Sequence, residues 1–307
     1  MFGRRYMRPP FPFVQFYILS SIFNILFCYN IAMHIPRYAV IEKRVGETPL
    51  EAMEAWRTKQ SSEYTKLPLA YAGRLDPLAS GRLLILIGDT CKVQEQYHGL
   101  DKTYEFSILF GVGSDTGDVM GRLTPPPYPQ AVVSKDKLGR VLPHFKGTLQ
   151  LPFPAFSSRT VQGKPLHTWA TEGRLSEIEI PVQTSSIHQL TLTKVETKMR
   201  AEVVKDALAK INSIPPVTDL RKALGNDFRR TDIRADWDIF KKGGAPSDRF
   251  TIAHFTTTVS SGTYIRSLAP AIGKDLGVPA LAYHIHRTTI GHFVPLPIIG
   301  GFWRKKF

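Results

Sequence analysis

Five aliphatic residues in unbroken succession, "LLILI" (Leu83–Ile87), narrow most sharply what this chain can fold into. Ended by Gly88, the run is far too short to cross a bilayer as a helix and reads as a buried strand. A buried strand needs a sheet around it, and the sequence supplies further candidates. "YAVIEK", "YEFSILFG" and "TIAHFTTTVSS" read as strands, the last rich in β-branched residues. Between them lie helical patterns. "TPLEAMEAWRTKQ" is a helix capped by Thr48 with Pro49 in its first turn, and "YIRSLAPAIGKDLG" a helix closed by Gly277. "SKDKLGRVLPHF" is a short helix, "TKMRAEVVKDALAKINS" has helical periodicity, and "PPVTDLRKALGNDF" has it more weakly. Strands and helices alternate with no regular βαβ period, which favours an α+β fold over a doubly wound sheet. No internal repeat is evident.

With 307 residues the chain can bury a sizeable core, and a hydrophobic content of 43% suits a folded protein rather than a disordered one. The formal charge of +14 points to a polyanionic partner, nucleic acid or an acidic membrane surface. The two cysteines, Cys28 and Cys91, exclude a disulfide framework and a four-cysteine zinc site, and no HExxH spacing occurs. No metal ligand set is assigned. Residues 1–32 stand apart, starting basic and then running uncharged and apolar from Phe11 to Met33. Three readings compete there: a false extension before Met33, a membrane anchor over 11–33, or a targeting peptide. Residues 193–248 read as a basic helical insertion, with Arg221, Lys222, Arg229, Arg230, Arg234, Lys241 and Lys242 facing either solvent or RNA.

"YAGRLDPLASGRLLILIG" (Tyr71–Gly88) carries the chemistry-bearing acid. Pro77 biases Asp76 away from helix, and Gly73 and Gly81 permit tight turns or close backbone approach, so Asp76 sits on a defined backbone beside a buried strand. A capping role competes with a catalytic one. "DKTYEF" places Tyr104 on the next strand, and "SSGTYIRS" places Tyr264 and Arg266 at a strand-to-helix junction, on one face if extended. An arginine can pair with a buried carboxylate, and an aromatic ring can stack on an unpaired base. "GVGSDTGDVMG" (Gly111–Gly121) is neither GxGxxG nor a P-loop and leads to no helix; it remains a turn-rich loop carrying Asp115 and Asp118.

"AGRLDPLASGRLLILIG", "DKTYEFSILFGVGSDTGDVMG" and "SGTYIRSLAPAIGKDLG" occur in the order and approximate spacing of the TruB family of tRNA pseudouridine synthases. "PAFSSRTVQGKPLHTWATEG" (Pro154–Gly173) resembles the family's segment between the second and third motifs, and the likeness runs from about Arg37 to Phe293. The resemblance implies the pseudouridine synthase fold, with a mixed, largely antiparallel central sheet flanked by helices and loops. It implies isomerisation of uridine 55 in the T-loop of tRNA. Asp76 would be the catalytic acid, Tyr104 the ring stacked on the flipped uracil, and Arg266 the partner of Asp76. Tyr264 would line the pocket. Lys43, in an early loop, would support the active-site strands and join the substrate-binding set. No cofactor is implied, because one glycosidic bond is exchanged for another.

This sequence departs from the family pattern at several points. Arg44 replaces a proline after Lys43; Tyr71 stands where a histidine commonly helps displace the base; Ile285 replaces a leucine among the substrate contacts. The chain stops soon after the last motif, so the expectation is a catalytic domain over 33–298, a basic tail over 299–307 and no carboxy-terminal PUA domain. The partner expected is tRNA through its T-arm, bound by a monomer without protein partners. Membrane association would come only through residues 11–33. The expected location is cytoplasmic, or organellar if the amino terminus is a targeting segment. The competing reading is a non-catalytic tRNA chaperone, or a synthase acting on other RNA.

Overall fold

The computed structural model describes residues 35–216, 227–296 and 300–307. The alternative readings of residues 1–32 therefore lie outside the described residues. So does most of the weak helical pattern over 215–228, together with Arg221 and Lys222. Tyr38–Phe307 form one unit. Among the described residues no helix is long and apolar enough to cross a membrane.

The chain opens with β1 (Tyr38–Lys43) and α1 (Pro49–Arg57). Helix α1 starts where the sequence says it should. The Thr48 hydroxyl accepts from Glu51 N at 3.2 Å, and the Glu51 carboxylate accepts from Thr48 N at 2.7 Å, a reciprocal capping box. Next come β2 (Leu69–Ala72), β3 (Ser80–Ile87) and β4 (Asp101–Phe110). After a long loop follow α2 (Lys135–Val141), β5 (Gly147–Pro152), the small hairpin of β6 (Thr160–Val161) and β7 (Lys164–Pro165), and α3 (Leu166–Thr171). The long strand β8 (Val182–Met199) leads into α4 (Arg200–Ser213), α5 (Arg230–Lys242) and β9 (Arg249–Val259). Helix α6 (Ile265–Asp275), β10 (Ala280–Val294) and β11 (Phe302–Lys306) complete the described chain.

Nine strands form one sheet along the path β1-β3-β10-β4-β9-β8-β5, with β2 on β3 and β11 on β10. Every pairing is antiparallel except β10 with β3, which run parallel at His286–Ser80 and Arg287–Gly81. The sheet is mixed, largely antiparallel and flanked by helices, as expected for an α+β fold.

Side-chain alternation splits the core by sheet face. Phe106 and Ile108 of β4 oppose Phe255 and Ala253 of β9, and pack with Leu268, Ala269 and Ile272 of α6. On the other face Leu109, Ile252 and Leu281 meet Val203, Ala207 and Ile211 of α4 and Trp237 and Phe240 of α5. A third cluster joins Leu84, Leu86, Leu100 and Ile290 to Phe307. The five-aliphatic run is wholly buried, as its composition demands.

The described residues refine two segment boundaries. Of the stretch 193–248 read as a basic helical insertion, 193–199 are strand and finish β8, and α4 and α5 cover one sheet face. Their apolar stripes had to face a core, and the charge on that stretch is partly internal. Arg230, almost fully buried, donates to the carbonyls of Ile214 and Pro215 and pairs with Asp227. Arg200 is equally buried: its guanidinium lies over the Phe240 and Phe250 rings at 4.6 and 5.0 Å and pairs with Asp248 at 2.9 Å. Part of the basic tail expected over 299–307 joins the sheet. Phe302–Lys306 pair with β10, and Trp303 packs edge-on to Phe293 at 5.3 Å.

Gly81 occupies a position that only glycine fits. Its φ is +110°, and a Cβ built there would lie 2.2 Å from the Arg287 carbonyl oxygen across the parallel pairing. Gly81→Ala is expected to lower stability by about 3 kcal/mol or more, through backbone strain plus overpacking. Urea unfolding checks this, and a loss below about 1 kcal/mol would contradict the close approach.

Candidate active site

The loop between β2 and β3 holds Asp76 by pinning the residues around it. Leu75, Leu78 and Ala79 are buried, whereas the Asp76 side chain is 43% exposed. Ala79 N donates to Asp76 O at 3.0 Å, and Gly46 N to Pro77 O at 2.8 Å. Arg287, fully buried on β10, donates to the carbonyls of Gly73 (3.1 Å), Arg74 (3.3 Å) and Arg82 (2.7 Å). The apolar anchors and the clamped carbonyls fix the turn while the Asp76 carboxylate, like the exposed Arg74, faces the cleft.

Arg266 meets it from the first turn of α6. Its Nε donates to Asp76 Oδ2 at 2.7 Å and its Nη1 to Thr116 O at 3.1 Å, and the residue is 7% exposed. No donor takes Asp76 Oδ1 among the described residues, so that oxygen is free for chemistry. A second acid stands behind the pair. Asp118 Oδ2 lies 3.8 Å from Arg266 Nε, and its Oδ1 accepts from Thr116 Oγ1 (2.6 Å) and Met120 N (2.9 Å). Burial raises the Asp118 pKa, Asp76 adds to the rise, and Arg266 and Thr116 oppose it. Burial also works against the Arg266 charge, but Asp76 and Asp118 outweigh it and hold the guanidinium protonated. Sequence reasoning left Asp118 in a turn-rich loop. The available signal was Gly117, at φ +74°, where a Cβ would lie 2.1 Å from Arg266 O; the loop presses directly on α6.

Asp76, Tyr104 and Arg266 line one cleft of about 1010 Å³, together with Tyr71, Tyr264 and Ile285. That is at the top of the roughly 300–1,000 Å³ range of small-molecule pockets, so the cleft admits more than a lone base. Tyr264 is the residue just before α6 rather than part of an extended pair with Arg266, since the helix begins at Ile265. Burial, then the nearby Asp76, raises its hydroxyl pKa. Its ring sits 5.7 Å from Phe153, over which Arg159 lies at 5.2 Å. Lys102, Phe156, Ser157 and Ser261 also line the cleft and were not singled out by sequence.

Lys43 is the exception, and its place among substrate contacts is corrected. It is fully buried and off the cleft, and its ammonium donates to the carbonyls of Arg44 (2.8 Å) and Glu47 (2.7 Å). A buried ammonium needs acceptors, and the loop before α1 curls round to supply them. That loop in turn reaches Pro77 through Gly46. Lys43 therefore positions the acid's backbone and cannot touch substrate.

Burial pushes Lys43 and Lys102 down to about 8 from 10.5, Arg287 adding to the effect at both. Between about pH 8 and 10.5 the unfolded chain holds protons on these lysines that the folded protein has released. Stability must therefore rise with pH across that window. Urea unfolding from pH 7.5 to 9.5 is expected to show the rise, and Lys43→Met is expected to lessen it, Lys102 and the similarly depressed Lys210 keeping the remainder; a flat wild-type profile would contradict the buried ammonium. Arg266→Met strands Asp118 in a dry site and is expected to cost about 3–5 kcal/mol by the same measurement.

The sequence profile of the TruB family pseudouridylate synthase N-terminal domain matches residues 62–209. The chain is 30% identical to tRNA pseudouridine synthase B of Bacillus pumilus (strain SAFR-032) over 225 residues, 73% of this chain and 57% of that protein. It is 31% identical to tRNA pseudouridine synthase 4 of Saccharomyces cerevisiae over 238 residues, 69% of this chain and 58% of that protein. The chain thus spans under three-fifths of the length of these curated relatives. Among solved structures, the crystal structure of a Cbf5-Nop10-Gar1 complex matches with a TM-score of 0.47 and 18% identity, covering 84% of this chain and 50% of that one. Three motifs in order, an acid–arginine pair at the mouth of one cleft, and the matching profile converge: residues 62–209 match the N-terminal domain of the TruB family of pseudouridine synthases, and the chain is similar to its tRNA pseudouridine synthases.

Proposed function

We propose that this protein isomerises a uridine in the T-loop of tRNA, at position 55, to pseudouridine. The observation that carries the reading is the Asp76–Arg266 pair, 2.7 Å apart, with one carboxylate oxygen free in a cleft that Tyr104 and Tyr264 also line. An RNA base inside a structured loop reaches such a site only by leaving its stack. Asp76 then acts on the sugar, either by attacking the nucleotide or by taking a sugar proton, and the N1–C1′ bond breaks. The detached uracil turns within the cleft and rejoins through C5; the C5 proton departs and N1 ends protonated. Atoms and electrons balance with no external reagent.

The side chains divide these tasks by geometry. Arg266 fixes the reacting carboxylate through a charge-assisted bond from a buried guanidinium. Tyr104, buried on β4, offers a ring face for stacking and a hydroxyl within the same cleft for proton transfer. Tyr71 and Ile285 bound the space in which the base turns. The net charge of +14 supports a polyanionic substrate gripped through its backbone. The relatives named above as tRNA pseudouridine synthases support tRNA, and a monomer acting through the T-arm is the simplest assembly consistent with a cleft formed within one chain.

The full chain incubated with an unmodified tRNA transcript is expected to yield pseudouridine at position 55, and Asp76→Asn is expected to lower the rate at least about a thousandfold while binding tRNA as well as the parent. Base-resolution mapping reads both. Binding without product from the parent protein would favour the chaperone reading instead.

A further inference from the structure

One buried cation in the cleft forms no salt bridge among the described residues, Asp101 opposing its charge only from beyond ion-pair distance. Lys102 stands two residues before Tyr104 on β4, is 7% exposed, and lines the cleft. Its ammonium donates to Leu100 O and, at 3.3 Å, to Ser261 Oγ. That uses two of its three N–H groups. Arg287 lies beside it: a Cβ built on Gly73 would sit 3.5 Å from Arg287 Nη1 and 3.6 Å from Lys102 Cε. Arg287 donates only to backbone carbonyls, and the adjoining acid, Asp101, is turned to His188 Nε2 (3.2 Å) and Phe293 N (2.9 Å). Carbonyl dipoles satisfy hydrogen bonds, but with Asp101 engaged elsewhere they leave two neighbouring positive charges only partly offset. Removing such a pair from water is unfavourable unless an anion arrives.

We propose that Lys102, backed by Arg287, receives a backbone phosphate of the RNA bound in the cleft, a contact that rests on the RNA reading given above. A phosphate oxygen supplies the third acceptor and the missing negative charge together, whereas a base carbonyl supplies only the first. Arg266 does not compete for this role, because Asp76 and Asp118 already neutralise it. The Ser261 hydroxyl, itself donating to His98 O, accepts one N–H of the ammonium, and both residues line the cleft. Burial with Arg287 nearby lowers the Lys102 pKa in the free protein, the cost that an arriving anion relieves.

Neutralising one phosphate contact lowers the slope of log affinity against log salt by roughly 0.7–0.9. Lys102→Met is therefore expected to bind the T-arm stem-loop more weakly and to lose about threefold less affinity than wild type between about 50 and 200 mM salt. Lys102→Arg is expected to restore the slope. With wild-type protein, replacing RNA phosphates one at a time by neutral methylphosphonate should reveal one position with the same loss of slope, silent in Lys102→Met. An unchanged slope in folded Lys102→Met overturns the proposal. So does a methylphosphonate series on wild type in which no position moves the slope, a measurement that stands even if Lys102→Met fails to fold. If wild type binds and isomerises the RNA while the slope stays fixed, only the phosphate contact falls; if it binds no RNA, the functional reading falls with it.

Discussion

The Arg266 guanidinium is the interaction on which the arrangement of the site depends. Three stretches of chain remote from its own helix α6 end on it: Asp76 after β2, Thr116 and Asp118 in the loop after β4, and Phe156 before the β6–β7 hairpin. Its bond to Asp76 is partly solvated, so by itself it contributes modestly to stability. Its proximity to Asp118 is dry, and there Arg266 opposes the burial that raises the acid's pKa. The same buried cation thus sets one acid for chemistry and excuses the burial of another.

Beneath the reacting groups a single rung of the sheet does the aligning. Lys43 of β1 faces Gly81 of β3, Gly81 faces Arg287 of β10, and Arg287 faces Tyr104 of β4. The parallel contact between β3 and β10 exists only at Ser80 and Gly81, where β3 begins. It brings Arg287 under the Gly73–Asp76 turn, whose carbonyls it binds, while its neighbour on the rung presents the cleft tyrosine. Displacing the strands by one residue would turn Tyr104 to the opposite face and remove Arg287 from the turn. Register therefore carries the geometry of the site as much as any one side chain does.

The chain's positive charge is less available than its composition suggests. Lys43, Arg200, Arg230 and Arg287 are almost wholly buried and directed at carbonyls or carboxylates within the fold. Arg229 pairs with Asp115 at 2.7 Å and covers the Phe156 ring at 4.1 Å, tying α5 to the loop that holds Asp118. Arginine suits such places because its planar donors match carbonyl arrays and its faces stack on rings. A count of basic residues in α4 and α5 accordingly reads as an RNA-facing surface when much of that charge is mortar between layers.

Local rules made several features legible before any coordinates. The capping box at Thr48 and Glu51, the buried run Leu83–Ile87 and the turn that holds Asp76 each follow from neighbours within a few residues, so sequence order alone determines them. The candidate site was legible in part for another reason: Asp76, Tyr104 and Arg266 lie in motifs whose order and spacing match a family. Asp118, Lys102 and the true position of Lys43 were not legible. Their roles come from burial and from partners as far away as Arg266 and Arg287, and no local pattern distinguishes a dry aspartate or lysine from a solvated one. The sequence by itself determined strands β1, β3, β4 and β9, helices α1, α2, α4 and α6, the acid's backbone and the aromatic and cationic candidates. Tertiary structure alone decided which charges are buried and what faces them, because desolvation and pairing depend on strand register and layer packing between residues far apart in the chain.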